Sequence, residues 1–467
     1  MIAHSALHRI NRAIAHEWHG TRTAPYLLHD GERLPREVPS PRWHSNGALA
    51  TGGWRRGPRA LRPSHRCGPR DESRYCRTVK TWQLGLRRIA KILLYVSAAA
   101  FALAILAAAY LFWPRSYART YVDAPATTDA VAPLASAARF RLGAAVHDTE
   151  VDTFAAAAGR DFNSMTPANA TKWGNLLVGG KLGKYDFTTA DALVELALAK
   201  ATHLRGHALV WGRYPGAGHP SDLEDVLKAA PDPKQRLEQI LREHIDAVLA
   251  HFHGRIPQWD VVNEPLHFWK PIWDDNVFYR TLGPEFVATA FRLAHAADPS
   301  LELVLNEQLP QYDDEHAEKF FEIVQQLQQS GVPVHGVGLQ SHVLMVLPSV
   351  ASLEAYMHRI AELGLFIEIT ELDVRLRLFA DDPDPYAAQG RYFRDLAAAC
   401  ARQPACRGIT LWGISDRFTW IDEEPPFRWM QPNDPLLFDQ DNRRKPAYLG
   451  IIDALRRAPP TRTGRLP

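Results

Sequence analysis

The chain has 467 residues and few of the features that mark cofactor or nucleic-acid enzymes. No Gly-rich phosphate loop occurs: the segment after the first β-like run is "GAAVHDTE", which is not one. No metal-ligand motif and no cofactor lysine motif is evident, so the reading is no metal and no cofactor. There are only four cysteines. Two thiols alone make a poor zinc site, and no matching second pair follows. Charge of one sign is also missing, with a net of only +2. No short repeat is present, and no Met lies between Met1 and Met165.

The small net charge hides an asymmetry. Residues 1–91 hold 18 Lys/Arg and 6 Asp/Glu, a net of +12, which leaves 36 basic and 46 acidic residues and a net of −10 for 92–467. A basic head on an acidic body does not fit a nucleic-acid enzyme. Between them lies one long apolar run, 92–113, "ILLYVSAAAFALAILAAAYLFW", 22 residues without a charge. That suffices to cross ~30 Å of hydrocarbon. Arg87, Arg88 and Lys91 precede it, and Tyr110 and Trp113 lie near its end. The run reads as an uncleaved anchor, and the positive-inside bias puts everything after about residue 114 outside, periplasmic or extracellular. A secreted protein is the alternative, with the run a cleaved signal peptide and "SYA" at 116–118 as the cleavage site. Residues 1–91 are rich in Arg, Pro, His and Gly with weak periodicity. They read as a disordered basic region or a misplaced start, with seven scattered His and Cys67 and Cys76. Residues 114–138 read as an Ala/Pro/Thr linker, and 458–467 as a tail.

From 139 to 457, short β-like runs alternate with longer helical ones. The runs fall at 140–146, 162–166, 204–211, 256–263, 301–306, 335–340, 365–370 and 408–413. Eight strands, each followed by a helix, predict an α/β fold of the (β/α)8 TIM-barrel type. In such a barrel, reactive groups gather where strands end. Glu264 closes the fourth run in "WDVVNEP", and Glu371 closes the seventh in "ITELDV". Two carboxylates facing each other over a cleft are the equipment for glycosidic bond cleavage. One stays protonated to help the leaving oxygen depart, and the other stays ionised to attack the sugar carbon. Polar and aromatic groups stand at the other strand ends: Asn169, Lys172, His207, Trp211, Gln340, His342, Asp373, Trp412 and Trp420. Sugars offer hydroxyls to polar side chains and C–H faces to rings, so a cleft lined this way suits a polysaccharide. Cys400 and Cys406 flank "ARQPA", and an oxidising compartment would permit a small-loop disulfide there.

These motifs together resemble the family 10 glycoside hydrolases, mainly endo-β-1,4-xylanases. "WDVVNEP" is similar to the family's acid/base segment and "ITELDV" to its nucleophile segment. "FNSMTPANATKW", "RGHALVW", "GVGLQSHV", "GITLWGISDRFTW" and "PLLFDQDNRRKPAY" match others, in the family's order. The resemblance covers about 139–457. It implies Glu264 as acid/base and Glu371 as nucleophile. It implies Asn263 on the hydroxyl beside the reacting carbon, and His342 on Glu371 with Asp373 behind it. Lys172, Asn169, His207, Trp211, Gln340, Trp412 and Trp420 would line the glycone side, and Cys400 and Cys406 would be bonded. It further implies retention of configuration and a xylan-like poly- or oligosaccharide as partner; the chain is read as a monomer that binds no nucleic acid. A transglycosylase, or a glycan-binding protein without turnover, is the alternative reading.

The chain departs from the family at Ala168, where a Glu is usual, at Gly212 and Tyr214, where His and Gln are usual, and in "NEQ" (306–308), where "NDY" is usual. The residues around the reacting bond are intact while sugar-binding positions have changed. The expectation is weaker action on linear xylan, restored by a Glu at 168.

Overall fold

The structure, a computed structural model, describes residues 74–112, 117, 131–200 and 202–458. The basic region up to 73 with its seven His and Cys67, the anchor's last residue Trp113, most of the linker and the tail after 458 lie outside these described residues. The chain divides into two units, 1–109 and 110–467.

The described part of the first unit belongs to a helix, Arg74–Phe112, of 39 residues. Within it, Arg88–Leu106 is long and apolar enough to cross a membrane by length and composition. The helix therefore takes in 74–91, which the sequence reading assigns to the disordered region. No proline occurs between Pro69 and Pro114, and Leu, Arg, Lys and Ala are good helix formers. The helix is described to Phe112.

In the second unit, nine strands form one sheet. They are β1 (Arg141–Val146), β2 (Ser164–Pro167), β3 (His203–Trp211), β4 (Gln258–Asn263), β5 (Glu302–Glu307), β6 (Gly336–Leu339), β7 (His342–Val343), β8 (Phe366–Val374) and β9 (Cys406–Leu411). All pairings are parallel. β1 pairs with both β2 and β9, and β6 pairs with β8, so eight strands close into a barrel. β7 is a two-residue extension that pairs with the end of β8. Helices such as Pro233–Phe252, Glu315–Gln329 and Pro385–Arg402 return the chain between strands. Several start at an Asp cap: Asp232, Asp314 and Asp384 each accept a backbone N–H from the first turn, and a proline follows two of them.

Strands buried on both faces are expected to be apolar throughout, yet this barrel has a charged interior. All six residues of β4 are buried. Trp259 packs outward near Phe252, while Asp260 turns inward to His207 Nδ1 at 2.8 Å and the Arg205 guanidinium at 3.3 Å. Arg205 also donates to Thr370 O and Thr166 Oγ1. Lower in the barrel, Gln258 accepts from Arg141 and donates to Glu368. Each buried charge thus has a partner, as burial requires. Gly206 lets Trp259 close in: a Cβ there would lie 2.3 Å from its ring.

The barrel unit begins earlier than 139. Val131–Ala137, inside the expected linker, is a helix with Val131, Ala132 and Ala135 buried. It is tied down by Ala132 N to Arg160 O and by Phe140 N to Ala135 O. Pro133 lies in the first turn, where a missing N–H is tolerated. Cys400 and Cys406 are disulfide-bonded, joining the end of the helix Pro385–Arg402 to the start of β9.

Candidate active site

Glu371 lies within β8, because that strand runs on to Val374. Its Oε1 accepts Asn306 Nδ2 at 2.7 Å, and its Oε2 faces His342 Nε2 at 3.1 Å. The other ring nitrogen of His342 meets Asp373 Oδ2 at 2.8 Å, and that oxygen also accepts Trp420 Nε1 at 2.8 Å. Burial alone would lower the pKa of His342, but Asp373 and Glu371 override it and push it up to about 10. The ring is therefore an imidazolium held between two carboxylates. Burial alone would raise the pKa of Glu371. The His342 hydrogen bond, with the charges of His207, His342 and Arg205, brings it down to about 2. Glu371 is ionised across the working pH range.

Glu264 follows β4 directly and has φ 52°, in the left-handed region that a Glu rarely enters. Such a conformation costs of order 1–3 kcal/mol and persists where the surroundings enforce it. Glu264 N is held by Asn306 O at 2.9 Å. The carboxylate accepts Trp211 Nε1 at 3.0 Å and Gln340 Nε2 at 3.0 Å, and lies 3.2 Å from Arg213 Nε.

One chain of amides joins the two carboxylates. Gln340 Nε2 donates to Glu264 Oε1 and to Asn263 Oδ1 (3.1 Å), while Asn306 Nδ2 donates to Asn263 Oδ1 (2.8 Å) and to Glu371 Oε1. Asn263 and Asn306 are register partners of β4 and β5. Both of these bonds fall on the Asn263 oxygen, so its Nδ2 is the group left to donate outward.

On the neighbouring side, Lys172 Nζ donates to Asn169 Oδ1 at 2.9 Å and sits 4.3 Å from the centre of the Trp211 ring. Burial lowers its pKa to about 8 against the charges of Glu371 and Glu264. Asn169 also meets His147 Nδ1 at 3.2 Å. The Trp412 ring stands edge-on to His207 and His342, 5.1 and 6.0 Å away.

This constellation has known counterparts. Residues 132–454 match the family described as Glycosyl hydrolase family 10. The chain belongs to that family. It is 32% identical over 296 residues to Endo-1,4-beta-xylanase A of Humicola insolens, covering 63% of this chain and 74% of that protein. It is 35% identical over 361 residues to Endo-1,4-beta-xylanase A of Cellvibrio japonicus, covering 69% of this chain and 56% of that one. Among solved structures, native xylanase 10B from Thermotoga maritima superposes with a TM-score of 0.63 at 30% identity, over 70% of this chain and 98% of that one. The chain is a xylanase-like glycoside hydrolase.

As a family member it is divergent, and the structure gives each departure a physical setting. Ala168 is fully buried and packs in an apolar cluster with Ala145 and Trp412, with Trp420 against it. A Glu at 168 would thus have to displace part of this apolar cluster. At Gly212 a Cβ would lie 2.4 Å from Asn276. Asn276 is the cap of the helix Val277–Leu282, so its side chain fills the place of a larger residue at 212. Tyr214 is exposed, with φ 53° and its ring 5.2 Å from that of Trp211. Gln308 is buried and bonds the His342 backbone through both ends of its amide; it holds the start of β7, which carries His342.

Sequence reasoning passed over Asn306, Arg213 and Glu307. Asn306 ends the fifth β-like run, 301–306, and the strand-end rule applied to that run would have found it. Glu307 is buried against backbone N–H groups of Leu266 and Gln308. Burial, then the charge of Glu264, raises its pKa well above the ordinary carboxylate range. No periodic signal marks either Glu307 or Arg213. Among the described residues, no cluster of His, Cys, Asp and Glu could hold a metal ion.

Proposed function

We propose that this chain hydrolyses the β-1,4-xylosidic bonds of xylan or a closely related β-glycan, cutting within the polymer and retaining configuration by double displacement. The observation that carries the proposal is the pair Glu264 and Glu371, joined through Gln340, Asn263 and Asn306 and given different surroundings. In the first step, Glu371 bonds to the anomeric carbon as the C–O bond to the leaving sugar breaks. The proton of Glu264 goes to the leaving oxygen. In the second step, water bonds to that carbon, its proton goes to Glu264, and the Glu371 ester bond breaks. His342, with Asp373 behind it, keeps Glu371 ionised. Asn263 Nδ2 donates to the hydroxyl beside the reacting carbon. Asn169, Lys172, His207, Trp211, Gln340, Trp412 and Trp420 bind the sugars on the glycone side. A carboxyl separation of about 5–5.5 Å goes with this mechanism.

We also propose that the barrel works as a monomer outside the cell, tethered by residues 92–113. Ile92, Leu93, Leu94, Phe101, Leu103 and Leu106 are exposed on one helix, and apolar surface of that extent calls for lipid. Added protease should digest the barrel in intact spheroplasts; protection would sink the orientation.

The test of the activity is a screen of the purified chain on linear xylan, decorated xylans and other β-glycans, read by reducing ends, with NMR of the first product anomer. New reducing ends from a xylan and a β-anomer are expected. An α-anomer first would exclude double displacement. Release from a different glycan only would replace the substrate.

A further inference from the structure

We propose that Arg213 controls the proton of Glu264: it favours the base form used in the second step and opposes the acid form used in the first. This rests on the reading of Glu264 as proton donor and base. Arg213 lies two residues beyond β3, with Nε 3.2 Å from Glu264 Oε2. It is held there on three sides. Nη2 donates to Leu266 O at 3.1 Å and lies 3.9 Å from Asp274 Oδ1, and the guanidinium sits 5.5 Å from the centre of the Phe268 ring. Phe268 in turn packs against the apolar cluster of Leu344, Ile421, Phe427 and Met430.

The groups in contact with the Glu264 carboxyl are all donors: Trp211 Nε1, Gln340 Nε2 and Arg213 Nε. An ionised carboxylate satisfies all three, whereas a protonated one must turn its O–H away from them. Other charges also face Glu264. Lys172 comes from the loop after β2, Glu371 from β8, Glu307 from the end of β5, and Asp274 reaches Arg213 from the loop after β4. Glu307 has its pKa raised by burial and then by the charge of Glu264, and its two oxygens accept the backbone N–H groups of Leu266 and Gln308. Arg213 is the charged group in direct contact with the acid/base.

The two steps should feel this contact in opposite ways. A polymer's leaving sugar needs the proton, so its cleavage should favour acidic pH. An aryl glycoside with a good leaving group needs little proton in the first step. Its turnover should depend on the base in the second, which Arg213 supports.

The test uses the full chain and three variants, Arg213→Gln, Arg213→Lys and Phe268→Ala. In Arg213→Gln the high-pH limb of kcat/KM on xylo-oligosaccharides should move up by roughly 1–3 pH units, the range for losing an opposite charge at this distance. The low-pH limb of kcat on an aryl β-xylobioside should move up with it, because one group sets both. Arg213→Lys keeps the charge and should restore most of both limbs. Phe268→Ala frees the guanidinium and should give a smaller shift of the same sign, a readout that survives if Arg213→Gln fails to fold. Limbs that stay put in active Arg213→Gln, or that move equally in Arg213→Lys, would overturn the proposal. If the wild type cleaves no glycan, the parent reading fails instead. Arg213 is then still tested by titrating the Glu264 carboxyl in ¹³C-Glu-labelled protein, assigned by loss of its signal in Glu264→Gln. A midpoint unchanged between wild type and Arg213→Gln would overturn it there too.

Discussion

Glu371 and Glu264 are the same side chain on two strands of one barrel, the first inside β8 and the second directly after β4, yet their surroundings differ in kind. Glu371 faces an imidazolium that is itself held by Asp373 and Trp420. Its other oxygen is fixed by Asn306. Glu264 stands on a left-handed residue and meets an indole, an amide and a guanidinium that comes from a loop. The first carboxylate sits in a closed network of alternating charge. The second sits among three donors, one of them a guanidinium fixed by Leu266 O, Asp274 and Phe268. A nucleophile needs one protonation state throughout, whereas an acid/base must change state twice per turnover.

The sharpest way to break this comparison is to remove each carboxylate in turn. Glu371→Ala should abolish turnover of every substrate, because no glycosyl-enzyme can form. Glu264→Ala should lower turnover of xylan by roughly 10²–10⁴-fold, the range for a lost general acid/base. On an aryl glycoside Glu264→Ala should give a burst and then slow turnover, rescued by azide as the β-glycosyl azide. Azide with Glu371→Ala should give the α-azide instead. Exchanged product anomers would reverse the two roles, and wild-type activity in either variant would end the glycosidase reading.

The next test asks whether the network around Glu371 also holds the fold. His342 is raised from an ordinary 6.5 to about 10. Its contribution to stability is therefore complete below 6.5 and is lost as pH rises toward 10. Glu371 is lowered from an ordinary 4.5 to about 2, so its share is present above 4.5 and is lost as pH falls toward 2. His342→Gln should destabilise the protein at pH 7 by about 3–5 kcal/mol, the cost of breaking a buried pair. It should also flatten the fall in Tm between pH 7 and 10. A Tm–pH curve of unchanged slope in the variant would show that His342 is neutral in the fold.

The smallest expected effect concerns Ala168. Ala168→Glu puts a carboxylate among Ala145 and Trp412 at a site with no exposure. The sequence alone predicts a gain on xylan. The structure predicts no gain, and a stability loss of about 1–3 kcal/mol from an unsatisfied buried group. Higher kcat/KM on xylan with unchanged Tm would show that Trp412 yields and the lost subsite can be rebuilt.

Much of this was legible in the chain. The run at 256–263 is β4 (Gln258–Asn263) to within two residues, because a strand buried on both faces has a strong local signature. The run at 365–370 stops short of the observed end at Val374. Glu371 and Asp373 read as loop residues, and only their partners Asn306, His342 and Trp420 let them stay in a buried strand. The helix Val131–Ala137 has seven residues and no usable periodicity. Its conformation depends on burying Val131 and Ala135 against the barrel.

The sequence by itself determined the barrel and the order of its strands, and it put one glutamate directly after the fourth barrel strand and another in the seventh. Periodicity, strand length and motif order are local properties of the chain, and burial selects for them directly. Only the tertiary structure decided what each glutamate meets. The bonds from Glu371 to Asn306 and from Gln340 to Glu264 span 65 and 76 residues. Asn276 in the space above Gly212 and Arg213 against Glu264 likewise join segments that nothing local relates. Proton affinity is set by charges and donors within a few ångströms in space, and closure of the barrel is what brings those groups together.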